Sequence, residues 1–245
     1  MRIQVLTLFP EMFAPVLDGS ILGRARERGL LDVETVDIRA FSTDKHRKTD
    51  DYPFGGGAGM VLTPQPVFDA LARLGTEGKR LVCMSPQGRL LDQDLVRELA
   101  CEEALLILCG HYEGIDRRVL DYFCFEEISV GDYVLTGGEL PAMILIDATA
   151  RLLPDVLGNP RAHDEESHSL GLLEYPQYTR PACFRGMEAP EALLSGNHKR
   201  IRLWKFEESI RLTRERRPDL FARFLENPGE LDKDEKRILA RLLTE

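Results

Sequence analysis

The 245-residue sequence lacks an apolar run long enough to cross a membrane; its most apolar stretch, residues 140–146, is closed by Asp147. The opening MRIQVLTLFP is too short in apolar residues for a signal-peptide core, so neither secretion nor membrane anchorage is expected and the reading is cytoplasmic. Cysteine is sparse. The five residues, at 83, 101, 109, 124 and 183, are odd in number and form no Cys-x-x-Cys pair, which argues against a disulfide framework or a zinc ribbon. There is no G-x-x-x-x-G-K-[ST], and the glycine run GGGAGM at 55–60 follows DDYPF and precedes VLTP instead of opening a helix after a strand. A P-loop and a standard dinucleotide-binding fold are therefore not expected. Glycine (20) and proline (14) occur at ordinary frequency, so the chain is neither collagen-like nor mostly disordered.

What is present begins with charge. The formal charge is -9, from 41 acidic and 32 basic residues, a balance that by itself disfavours a polyanionic partner. Its distribution says otherwise. Residues 101–150 carry 10 acidic and 2 basic side chains, nearly the whole excess, whereas residues 199–217 carry eight basic and three acidic ones. A local surface facing nucleic acid is thus permitted.

Short apolar runs at 3–8, 81–84, 105–109 and 128–130 read as buried strands of a mainly parallel α/β sheet. Helical spacing is expected over 65–74, 92–100, 139–153, 197–216 and 232–243, with Pro141 in a first turn and Pro154 as a stop. The polar stretch NPRAHDEESHSLG at 159–171 reads as an interdomain linker or ordering loop. This divides the chain into 1–158, the linker 159–171 and a mainly helical 172–245. In the helix of 197–216, Leu203, Phe206, Ile210 and Thr213 share one face, and Arg200, Trp204 and Arg211 cluster on another that could bind phosphates and stack on bases.

Three predicted strands are followed at once by glycine-bearing loops: SPQGR, GHYEGID and GDYVLTGGELP. Loops at the carboxyl ends of parallel strands line the ligand crevice of such sheets, and glycine lets the backbone approach a ligand closely. Three in succession point to a small-molecule site. His163, Asp164, Glu165, Glu166 and His168 have no zinc-type spacing and read as a solvated acidic loop.

The segments LFPEMF, DKHRKTDDYPFGGGAGM, SPQGR, CGHYEGIDRR, SVGDYVLTGGELPAMILIDATARLLP, GLLEYPQYTRP and LSGNHKRIRLWK, in this order, resemble the bacterial tRNA (guanine-N1)-methyltransferases of the TrmD type, in the SPOUT class, over essentially the whole chain. The resemblance implies an α/β domain with a deep trefoil knot, a small helical tRNA-binding domain, and a homodimer with composite active sites. It also implies S-adenosylmethionine as methyl donor, magnesium as an assisting ion at an unassigned site, and methylation of the guanosine 3′ of the anticodon, tRNA position 37.

Carried over by motif, the cofactor would be held by Cys83, Ser85 and Pro86, by Gly110, Tyr112 and Glu113, by Ser129, Val130, Gly131, Asp132, Tyr133, Val134 and Leu135, and by Gly137, Gly138 and Pro141. Guanine N1 carries a proton and is a poor nucleophile until a base removes it, and the charge that grows on O6 calls for a cation. The resemblance gives these roles to Glu166 and Arg151. Asp164 and Glu165 share the chemistry of Glu166, since the family more often has Asp followed by Ser at this place. Asp50, Glu113 and Ser167, with Arg200, Trp204 and Arg211, would contact tRNA. The rival readings are a non-catalytic RNA-binding protein on the same fold and, less favoured, a nucleotide-dependent oxidoreductase.

Overall fold

A computed structural model describes residues 1–158, 166–169 and 171–245. The chain forms two compact units, Met1–Pro160 and Arg161–Glu245.

In the first unit the order is β1 (Arg2–Thr7), α1 (Ala14–Leu17), α2 (Ser20–Glu27), β2 (Asp32–Asp37), β3 (Asp50–Asp51), β4 (Val61–Leu62), α3 (Pro64–Leu74), β5 (Arg80–Leu90), α4 (Gln93–Ala100), β6 (Ala104–Cys109), α5 (Arg117–Phe123), β7 (Glu126–Ser129) and α6 (Glu139–Ala150). Five strands pair in parallel in the order β2-β1-β6-β5-β7. The expected apolar runs are its four inner and flanking strands. Their side chains alternate between two apolar layers. On β6, Leu105, Ile107 and Cys109 face one core with Leu22, Leu95, Leu99, Ala142 and Ile146, and Leu106 and Leu108 face another with Val67, Leu71, Val119 and Leu120. Helices on both faces explain why these strands read as continuous apolar runs.

Strand β2 escaped the sequence reading. DVETVD is polar because it is an edge strand paired only to β1, and Val33 alone on it is buried. Helices α2 and α5 were likewise unforeseen, as was the helix over Pro218–Glu226 in the second unit. The helix expected over 139–153 ends at Ala150, with Arg151 as its cap, three residues before Pro154. Aligned carbonyls at a helix C-terminus favour a cation there.

The second unit contains a two-stranded ribbon, β8 (Cys183–Phe184) and β9 (Met187–Glu188), then α7 (Glu191–Leu194), α8 (His198–Arg216), α9 (Pro218–Glu226) and α10 (Lys233–Thr244). Asn197 caps α8 by accepting from the Arg200 N–H, and Asp232 with Glu235 forms a reciprocal capping box on α10. Its small core gathers Leu172, Ile210, Phe221, Phe224 and Leu242. Among the described residues no helix is long and apolar enough to cross a membrane.

Candidate active site

The loops after β5, β6 and β7 meet around a cavity of about 430 Å³ at the carboxyl ends of these strands. Its wall contains every residue assigned by motif to the cofactor except Asp132. Asp132 lies in the third loop but outside that lining. The structure adds Met84, Gln87, His111, Gly114, Ile115, Arg117, Leu120, Glu127, Ile128 and Thr136. Most are sequence neighbours of the expected residues, whereas Arg117 on α5 and Glu127 on β7 reach the wall only through tertiary packing.

The first loop is an excursion within a strand. Met84 and Arg89 both stand opposite Ile128, so β5 leaves β7 after Met84 and rejoins it at Arg89, five residues on. Ser85, Pro86 and Gln87 are thereby pushed into the cavity wall. Gly88 makes the return possible, because a Cβ there would lie 2.2 Å from the backbone carbon of Glu127. The second and third loops cross as closely. Gly138 donates its N–H to the Gly110 carbonyl at 2.7 Å, and a Cβ on Gly138 would come within 2.7 Å of the Cys109 Cα.

Apart from Glu113, Arg117 and Glu127, the lining offers backbone groups and uncharged side chains. Burial pushes the Cys83 thiol up to about 12, so it is neutral at physiological pH and no nucleophile. Cys109, just behind it, is raised well above the ordinary thiol value by the same cause. Arg117 is spent on Asp121 and Glu127, at 2.7 and 2.6 Å. A cavity of this size, with few fixed charges, suits a small ligand recognised through main-chain hydrogen bonds.

Asp50 and Glu113 are brought to adjoining segments. Asp50 pairs with Leu62 across β3 and β4; the Leu62 N–H donates to the Gly114 carbonyl, and the Glu113 N–H to the Met60 carbonyl. Arg151 caps α6. In the second unit, Glu166 begins a turn closed by the Ser169 N–H on its carbonyl. Ser167 accepts from the Glu174 N–H at 3.0 Å, and the neighbouring Leu173 N–H donates to Thr213 on α8. Asp164, Glu165 and His163 lie outside the described residues.

The basic face expected on α8 is not bare. Arg200 and Trp204 share an open groove of about 550 Å³ with Asn197, Lys199, Glu207 and Arg241, and Arg211 is not in that wall. Arg200 pairs with Glu191, Lys199 with Asp234, Arg202 with Asp232 and Glu235, and Arg211 with Glu207 and Glu245. Burial pushes the Glu207 carboxyl up, but hydrogen bonds from Arg211 and Arg241 outweigh it and hold the group below its ordinary value. Exposed ion pairs are worth about 0–1 kcal/mol each, so phosphates could replace these carboxylates at small cost. Trp204 stands edge-on to Tyr175 and Tyr178, at 6.3 and 6.2 Å between ring centres.

Fold and site thus define a parallel α/β protein with a strand-end cavity of a size for a small ligand, followed in the chain by a separate helical unit. The family model described as "tRNA (Guanine-1)-methyltransferase TrmD" matches residues 1–223. Proteins named "tRNA (guanine-N(1)-)-methyltransferase" are similar over nearly the full length. One from Moorella thermoacetica is 56% identical over 234 residues, 94% of each chain. One from Geobacillus kaustophilus is 55% identical over 222 residues, 90% of this chain and 91% of its own. One from Shouchella clausii is 52% identical over 246 residues, 99% of this chain and 98% of its own. The chain belongs to the TrmD family and is a methyltransferase.

Proposed function

We propose that this enzyme transfers a methyl group from S-adenosylmethionine to N1 of the guanosine at position 37 of tRNA. The observation that carries the donor assignment is the glycine-walled cavity, into which the three motif loops converge. Main-chain donors and acceptors there suit an adenine edge and a ribose, and the absence of a reactive thiol suits direct transfer. S-adenosylmethionine supplies, when bound, an electrophilic methyl on a sulfonium that departs as a neutral thioether. Glu166 takes the proton from guanine N1 as that nitrogen bonds the methyl carbon, and Arg151 stabilises the charge moving onto O6. Asp50 and Glu113 hold the guanines, and the groove with Arg200 and Trp204 grips the tRNA.

The same reading includes a knotted first domain, a tRNA-binding second domain and a homodimer whose sites draw on both subunits. A dimer is supported by Leu140 and Ile144, 49% and 46% exposed one turn apart on α6, whose other residues except Asp147 and Ala148 are buried, since such a stripe is costly to leave wet. Among the described residues no three His, Cys, Asp or Glu side chains are placed to hold a metal ion. Magnesium is commonly held by only one or two carboxylates with water or substrate, so it is assigned no site here and no step runs through it.

The test is methylation of tRNA transcripts bearing G or A at position 37, read by nucleoside mass spectrometry. 1-Methylguanosine in the G transcript alone is expected; no product from either would overturn the reading in favour of a non-catalytic RNA-binding protein. In the same assay Arg151→Ala should lower the single-turnover rate about a hundredfold, with the affinity for S-adenosylmethionine unchanged. A wild-type rate in that variant would remove Arg151 from the chemistry.

A further inference from the structure

Glu139 is the first residue of α6 and only 2% exposed. A buried carboxylate is costly unless it is hydrogen-bonded, and an apolar side chain of similar size often serves stability as well. Its Oε1 accepts from the Thr7 hydroxyl at 2.7 Å. Thr7, fully buried at the end of β1, accepts in turn from the Phe9 N–H at 2.9 Å. A main-chain donor, a hydroxyl and a carboxylate therefore run in one line from the loop after β1 to the start of α6.

The other carboxylate oxygen lies against Gly137, a residue of the cavity wall, although Glu139 itself is not in the lining. A Cβ on Gly137 would stand 2.4 Å from Glu139 Oε2 and 2.6 Å from His111 Nδ1, so carboxylate and imidazole both abut the Gly137 Cα. His111 and Gly137 form an antiparallel bridge, and the His111 ring packs against Phe9 and Tyr112, at 5.0 and 4.9 Å between ring centres. Among the described residues His111 Nδ1 is buried with no hydrogen-bond partner, and the Glu139 carboxylate next to Gly137 adds a side-chain tie from this junction to β1 through Thr7. Gly110, His111, Tyr112, Gly137 and Gly138 all line the cavity.

We infer that Glu139 is a positioning residue. Through Thr7 it fixes the spacing of the second and third loops, and so the shape of the wall that binds the methyl donor; this rests on the donor assignment above. The role is carried by hydrogen bonding and not by charge, because among the described residues the partner of Oε1 is a hydroxyl donor that an amide oxygen could equally accept.

Calorimetric titration with S-adenosylmethionine, paired with steady-state methylation, tests this. Glu139→Ala and Thr7→Val should each raise the dissociation constant about tenfold, with kcat at saturating donor within about threefold of wild type. Glu139→Gln and Thr7→Ser should restore wild-type affinity. If Glu139→Ala gives no folded protein, the Thr7→Val and Thr7→Ser pair carries the same comparison. Wild-type affinity in Glu139→Ala or Thr7→Val, whatever its melting temperature, would overturn the inference, as would a Glu139→Gln variant as weak as the alanine. A wild-type protein that binds no S-adenosylmethionine would instead overturn the donor assignment, and this inference with it.

Discussion

Replacing Glu166 by glutamine is expected to slow single-turnover methylation about a thousandfold, roughly 4 kcal/mol of transition-state stabilisation, while S-adenosylmethionine binds as in the wild type. The substitution keeps the size of the side chain and removes its negative charge and its capacity to take a proton. Guanine N1 is protonated near neutrality, so methylation without a base must pass through an unfavourable cationic product. The turn that presents Glu166 is anchored by its own carbonyl, by the Ser167 hydroxyl and by Leu173 on Thr213, and glutamine disturbs none of these bonds. Glu166→Gln is best run beside Asp164→Asn and Glu165→Gln in rapid-quench assays. A wild-type rate in Glu166→Gln, with the loss in one of the other two, would move the base to that neighbour.

Gly88→Ala should abolish measurable donor binding, a loss of at least about a hundredfold, and destabilise the first unit by about 3 kcal/mol. The added Cβ would meet the Glu127 carbon at 2.2 Å, and the Glu127 oxygen and Ile128 nitrogen at 2.3 Å each. All three are backbone atoms of β7, so no side chain can swing aside. Relief requires that residues 85–88 move off β7, which carries Ser85, Pro86 and Gln87 out of the cavity wall. Gly158 is the control, since nothing lies within 4 Å of a Cβ there. Denaturant titration and calorimetry on both variants decide the matter, and a Gly88→Ala protein with wild-type stability and affinity would contradict the crossing.

These predictions draw on different depths of information. The helices expected from 197 and 232 begin within one residue of those positions, where Asn197 and Asp232 cap α8 and α10, because a helix start is set by residues within one turn of each other. The inner strands were legible because a sheet covered on both faces needs unbroken apolar runs. Strand β2 was not, since its edge position is a fact about neighbours and its own residues are mostly polar. On α8 the excess of basic residues was plain, but their carboxylate partners come from α7, α10 and the chain terminus, and no local pattern announces them.

The sequence by itself determined the α/β class, the order of the segments that mark the family, and the three glycine-bearing loops as the place for a small ligand. Only the tertiary structure decided which residues of those loops share a wall, that Asp132 is not among them, that Gly88 and Gly138 are crossings of backbone on backbone, and that Glu139 is tied to Thr7 132 positions away. Periodicity, caps and composition are local quantities written along the chain. A cavity wall and a buried hydrogen bond are distances between segments far apart in sequence, which exist only once the sheet has brought them together.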